Sequence, residues 1–240
     1  MIRLAMIRLA CVVTLLAGPV AALDAFSLPA GCEGIVTMQK RSCLVTHLFT
    51  CAGDPAGHLR RVDMVEEGLA FAGLTDSETQ WVESNHTRAG YSERLLPGAT
   101  DPASLTELLA TGRDTWDFET QADGYGITRH VGEDVLTGRS IVLDGVTLEE
   151  TRFTAVAYDS TGTEYWRGEG LEYINRDWRT FISGTRTVTT PTESYDTDFS
   201  PVAFFFPGQA GFLSSVPRHD CGVVMSGDLR SLVPAGWVAP

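Results

Sequence analysis

The chain has 240 residues, of which 43% are apolar by type and 20% charged, and a formal net charge of −13. That length and composition suit one packed domain and exclude a disordered chain. The acidity argues against nucleic-acid binding, which needs a basic stripe against the phosphates.

Residues 1–22 read as a secretory signal peptide. Arg3 and Arg8 form a positive start, an apolar run follows from Leu9 to Ala17, Gly18-Pro19 ends it, and Val20-Ala21-Ala22 supplies small residues for cleavage. The run is shorter than the ~20 residues that span a bilayer, and no later stretch is a transmembrane candidate. The expected localisation is therefore periplasmic or secreted, with a mature chain from Leu23. Cys11 leaves with the signal, and Cys32, Cys43, Cys51 and Cys221 remain. An even number of cysteines in an oxidising compartment predicts disulfides. Their spacing contains no Cys-x-x-Cys, so no metal is expected. An extended Ser42–Cys51 would hold Cys43 and Cys51 about 27 Å apart at 3.4 Å per residue, too far to bond. The favoured pairing is Cys32–Cys43 with Cys51–Cys221, and Cys32–Cys51 with Cys43–Cys221 stands close behind it.

Along residues 23–240 the pattern is that of a single β-rich domain, with a loose tail from about 226. Strand signals cover Ser42–Cys51, Arg60–Val65 and Thr79–Glu83. One short helix is predicted near 101–111. Asp101 is its N-cap, Pro102 its first residue and Gly112 its end, with Leu105, Leu108 and Leu109 on one face. Trp116 and Phe118 then alternate with acids, Asp123-Gly124 and Asp144-Gly145 mark hairpins, and Asp159–Gly162 marks another turn. Arg152–Tyr158, Thr163–Arg167, Tyr173–Asn175, Trp178–Ile182, Thr185–Thr190 and Val202–Phe206 complete the series. Strands at this spacing predict a mainly β fold, a large antiparallel curled sheet in the form of a half-barrel, barrel or sandwich.

The stretch from Glu164 through Trp166, Tyr173, Trp178 and Phe181 to Gly184 resembles a family of exported, uncharacterised alphaproteobacterial proteins. The resemblance continues through Phe206-Pro207-Gly208 to Cys221 and implies no catalytic residue. The strand-rich middle is also similar in layout to periplasmic lipoprotein carriers of the LolA and LppX kind, an analogy of shape alone.

No enzyme motif appears. None of the five histidines has zinc-site spacing, no Gly-x-Ser-x-Gly occurs, and the acid pairs fit solvated faces. His47 reads as packing within a strand. The single lysine, Lys40, among 18 basic residues reads as codon bias. Neither a catalytic residue nor a cofactor is expected. What remains is a set of strand aromatics that either fill a core or line an apolar cavity. Trp116, Phe118, Trp166, Tyr173, Trp178 and Phe181, with Leu105 and Leu108 as a lid, are the candidate ligand-binding residues. The expected function is binding of an apolar or amphipathic, lipid-like small molecule; the alternative is a structural or interaction module of the cell envelope that meets a protein partner.

Overall fold

The computed structural model describes residues 25–222, so the expected signal peptide and the tail from about 226 lie outside the described residues. The elements in chain order are β1 (Cys32–Lys40), β2 (Leu44–Cys51), β3 (Leu59–Val65), β4 (Gly68–Thr75), β5 (Trp81–His86), β6 (Tyr91–Leu95), α1 (Leu105–Thr111), β7 (Arg113–Ala122), β8 (Gly126–Leu143), β9 (Val146–Tyr158), β10 (Glu164–Asn175), β11 (Thr180–Thr189), β12 (Ser194–Asp198) and β13 (Pro201–Phe205). All 13 strands join one antiparallel sheet in the order β12 to β1, followed by β13. Consecutive strands pair throughout, and only β13 departs from the meander by returning to β1. The sheet is open, with β12 and β13 as its edges, so a closed barrel is excluded.

Alternation along the strands builds the interior. On β7, Asp114, Trp116, Phe118, Thr120 and Ala122 are buried while their neighbours are more exposed. Trp116, Phe118, Phe153, Trp166 and Val188 form one apolar cluster across β7 to β11. A second cluster joins Val36, Met38, Leu48 and Leu59 of β1–β3 to Val146, Leu148 and Ile182 of β9 and β11. That cluster brings the two ends of the sheet against each other and curls it. Each such side chain contributes roughly 1.5–3 kcal/mol when fully buried.

The first two strands are covered on both faces. Phe26 stacks on His47 with centroids 5.0 Å apart, Thr37 Oγ1 accepts from Leu213 N at 2.8 Å, and Gln39 Nε2 donates to Val216 O at 2.9 Å. His47 is thus a packing histidine, held neutral by burial with its pKa lowered to about 4.

The turn between β1 and β2 decides the disulfides. Ser42 and Cys43 both have positive φ, 56° and 55°, within the three-residue turn Arg41-Ser42-Cys43 that joins Lys40 to its partner Leu44. This pairs Cys32 directly with Cys51 at the open end of the hairpin and turns Cys43 toward the C-terminal segment, where Cys43 N donates to His219 O at 2.8 Å. The bonds are Cys32–Cys51 and Cys43–Cys221. The pairing favoured from sequence is therefore wrong and its alternative is right. Starting the strand series at Ser42 hid β1, and with it the register that makes Cys32 and Cys51 partners.

Other differences from the sequence reading have equally local causes. β6 and β12 carry charged residues in place of an apolar run, and β4 holds its Leu-Ala-Phe-Ala run between two glycines, so none of the three is predicted. Trp178 lies in the turn between β10 and β11, not in a strand, and packs against Phe204 at 5.9 Å. The helix is capped by Ser104, whose Oγ accepts from Glu107 N at 3.1 Å; Asp101 pairs instead with Asp117. Gly112, at φ 85°, ends the helix as expected. Among the described residues no helix is long and apolar enough to cross a membrane.

Candidate functional site

α1 sits over one end of the curled sheet. Leu105 and Leu108 are buried against Ile174, with Leu136 and Phe181 beside them. The helix is tied down from outside by Glu78, which accepts from Ser104 Oγ, from Thr106 N and Oγ1, and from Arg179 at 3.0 Å. Burial opposes ionisation of Glu78, yet these donors hold its pKa below the usual carboxylate value.

One step further along the same strands the interior becomes ionic. Ile174 is followed inward by Glu172, and Phe181 by Ser183, which lies opposite Glu172 in the β10–β11 register. From the other end of the sheet comes Lys40, the last residue of β1. It is 1% exposed, and its Nζ donates to Ser183 Oγ at 3.1 Å. Two residues of β3 that share a face complete the group on that side. Asp63 accepts from Thr46 Oγ1 at 2.6 Å and from Arg61 Nε at 3.0 Å, and Arg61 Nη2 closes the second arm of the fork. Arg186 of β11 donates from Nε to Thr197 Oγ1 at 3.3 Å, with its guanidinium 5.4 Å from the Phe199 ring centroid. Asp134 of β8 accepts from Trp116 Nε1 at 3.0 Å.

Burial sets the charges. It pushes Lys40 down to about 7, aided by the Arg61 charge. It raises Asp134 to about 7, with Glu172 as the strongest repelling charge. Glu172 is raised as well, although Arg186, Arg61 and Lys40 pull the other way. Asp63 stays below the usual carboxylate range because the Arg61 fork outweighs its desolvation. No hydrogen bond or contact ion pair among the described residues holds the Glu172 carboxylate. Thr151, opposite Glu172 across β9–β10, is 0% exposed and its hydroxyl has no hydrogen-bond partner among the described residues. Arg61 keeps 34% of its side-chain surface accessible, and its guanidinium lies 5.4 Å from the Phe71 ring centroid.

The residues expected to share one cavity fall into three groups. Trp116, Phe118 and Trp166 belong to the aromatic cluster, Leu105, Leu108 and Phe181 to the helix contact, and Tyr173 and Trp178 to the cluster that closes the curl. The aromatic cluster is tightly filled. A Cβ on Gly132 would stand 2.4 Å from the Trp116 ring and 2.2 Å from Thr154 O. The ionic group lies between these apolar layers and was not foreseen. Its one sequence signal was the solitary Lys40 beside inward-facing charge on β3. Trp81 was also passed over; it is 37% exposed and edges onto Phe118 at 5.3 Å, extending the aromatic cluster to the surface.

A second buried polar chain runs along β5–β8. His86 meets Glu93 at 3.2 Å, Glu93 accepts from Thr120 Oγ1 at 2.8 Å, and Thr120 meets His130 at 3.0 Å. Burial lowers the His130 pKa to about 3, which leaves the ring neutral. Two open grooves, of about 660 and 530 Å³, lie along the sheet. The first is walled by Arg152, Glu169, Arg186, Thr187 and Asp196, the second by Glu119, Arg129 and Tyr158. Cys43, Glu66 and Cys221 are the one cluster of metal-binding type among the described residues, and its two sulfurs are bonded to each other.

No protein-family model matches the chain, and neither a curated protein nor a solved structure is similar to it.

Proposed function

We propose that the protein is an exported, periplasmic or secreted binding protein that holds an amphipathic small molecule inside its curled sheet, with α1 as the cover. The observation that carries this reading is the ionic group, enclosed between two apolar layers and left with unspent hydrogen-bonding groups. A buried polar group without partners is costly, so the persistence of the unpartnered Thr151 hydroxyl beside a partly accessible Arg61 fits a ligand better than a purely structural core. Export is supported by the four paired cysteines, because disulfides persist in oxidising compartments.

A second reading, an interaction module of the envelope, draws on the filling of the aromatic layer over Gly132. Native mass spectrometry of protein recovered from its own extracytoplasmic compartment separates the two. The binding reading expects a co-purifying amphiphile, and saturable binding of a fluorescent fatty acid that changes in Leu108→Glu. If no amphiphile co-purifies and no probe binds saturably, the interaction module takes its place.

A further inference from the structure

We infer that the ionic group is a head-group site and that it takes an oxyanion, a carboxylate or a phosphate monoester, on Lys40, Arg61 and Arg186. This rests on the binding reading above and adds the chemical class of the ligand.

The first argument is the inventory of donors and acceptors. A lysine ammonium has three donors, and Lys40 spends one on Ser183. Arginine has five; Arg61 spends Nε and Nη2 on Asp63, and Arg186 spends Nε on Thr197. The Thr151 hydroxyl adds a further donor with no partner. On the acceptor side Asp63 is already committed to Arg61 and Thr46. Among the described residues Glu172 is the one carboxylate of the group without a donor on it. Donors therefore exceed acceptors, and the deficit is met by a group that brings acceptors and no donors. An oxyanion does this, and it matches a guanidinium fork in geometry.

The second argument is charge. The chain as a whole carries −13, so a cationic concentration in its interior runs against its composition. Lys40, Arg61 and Arg186 stand against Asp63 and Glu172, while Asp134, its pKa raised to about 7 by burial, is protonated and uncharged at pH 6. In a water-poor interior an uncompensated cation is unfavourable, and a buried anion relieves it. The raised Glu172 pKa supports the same occupant, since a protonated Glu172 meets an oxyanion as a donor.

The third argument is placement. Apolar side chains stand on both sides of the ionic group, Leu105, Leu108 and Ile174 toward α1, and Trp116, Phe153 and Trp166 along the sheet. A head group held at Arg186 would leave its chain against apolar surface. Arg186 also borders the first open groove, but there Arg152, Glu169, Thr187 and Asp196 offer a chain no apolar surface.

The test uses the full mature chain at pH 6, where Lys40 is charged, and four probes that share one tail: octanoate, octyl phosphate, octanol and octyltrimethylammonium. Affinity is measured by calorimetry. In protein labelled with 15N-lysine the side chain of Lys40 gives one signal, because it is the only lysine. The expected result is that octanoate or octyl phosphate binds about tenfold or more tighter than octanol, as one charge-assisted hydrogen bond would give, and shifts the Lys40 signal. Arg186→Gln should lose that margin, while Arg186→Lys should keep part of it. The tighter of the two oxyanions names the head group. Octanol binding as tightly as octanoate would overturn the inference and leave the binding reading standing, and so would a preference for octyltrimethylammonium. Failure of every probe to bind would remove both. The Lys40 signal needs no substitution, so the test survives even if the arginine variants fail to fold.

Discussion

Lys40 Nζ donates to Ser183 Oγ at 3.1 Å, and this contact links β1 to β11 across 143 residues of sequence. The lysine belongs to the strand that starts the sheet and the serine to the strand next to one edge. The bond therefore exists only when the sheet is fully curled. Lys40 has an ordinary pKa of 10.5 and drops to about 7, mainly through burial. Between those values the unfolded chain holds a proton that the native chain has lost, so stability rises with pH by up to about 1.4 kcal/mol per unit. Below about pH 7 the buried lysine is charged and its full cost is present. Lys40→Met should remove this slope. Its stability relative to the parent should be greatest at pH 6 and fall by more than about 1 kcal/mol by pH 9. Urea unfolding at the two pH values checks this, and an unchanged difference would show that Lys40 is not desolvated.

Asp134 has the opposite dependence. Burial, reinforced by Glu172, lifts its pKa from 3.8 to about 7. Between those values the native state holds the extra proton, so stability falls as pH rises through that window. Asp134→Asn keeps an acceptor for Trp116 Nε1 and removes the titration. The variant should be roughly as stable as the parent at pH 4 and about 1–3 kcal/mol more stable at pH 8. Thermal melts across pH 4–8 that run parallel for the two proteins would contradict the assignment.

What the sequence revealed and what it hid follow from range. Asp144-Gly145 announced its hairpin because the turn needs positive φ at both central residues and those two types adopt it, at 50° and 81°. Arg41-Ser42-Cys43 makes a three-residue turn with positive φ at Ser42 and Cys43, residue types that disfavour it, held by Ser42 Oγ on Asp198 O at 2.7 Å and by the bond from Cys43 to Cys221. No local rule finds a turn that distant residues enforce. The alternation that placed Trp116 and Phe118 on one face was legible, as was the leucine face of α1. The ionic group was not, because Lys40, Asp63, Glu172 and Arg186 come from four strands. Each looks like an ordinary polar residue until the two ends of the sheet meet.

The disulfides should differ in weight. Cys43–Cys221 closes a separation of 178 residues and Cys32–Cys51 one of 19. The chain-entropy relation gives about 5 kcal/mol for the first and about 3 for the second. Cys43→Ser with Cys221→Ser should therefore lower the urea midpoint more than Cys32→Ser with Cys51→Ser. Peptide mapping of the oxidised parent should recover Cys32 joined to Cys51. Recovery of Cys32 joined to Cys43 would mean that β1 and β2 do not pair in the register Cys32 opposite Cys51.

Glu78 offers a way to loosen the cover without touching the interior. Its carboxylate gathers Ser104, Thr106 and Arg179, and so ties the start of α1 to the β4–β5 loop and to the turn before β11. α1 has seven residues, too few to be stable alone. Its order depends on Leu105 and Leu108 beneath it and on Glu78 outside it. Glu78→Ala removes the outer tie, leaves Arg179 without its carboxylate, and keeps the buried leucines. Each lost charge-assisted hydrogen bond at this half-exposed site contributes on the order of 1 kcal/mol. Amides of residues 104–112 should then exchange about tenfold faster or more, while those of β7 to β9 are unchanged. If the helix covers a binding site, the same variant should speed both entry and release of a bound amphiphile and leave its affinity nearly constant. Equal exchange in parent and variant would show that packing alone holds α1. Faster exchange with unaltered ligand kinetics would show that ligands do not pass beneath it.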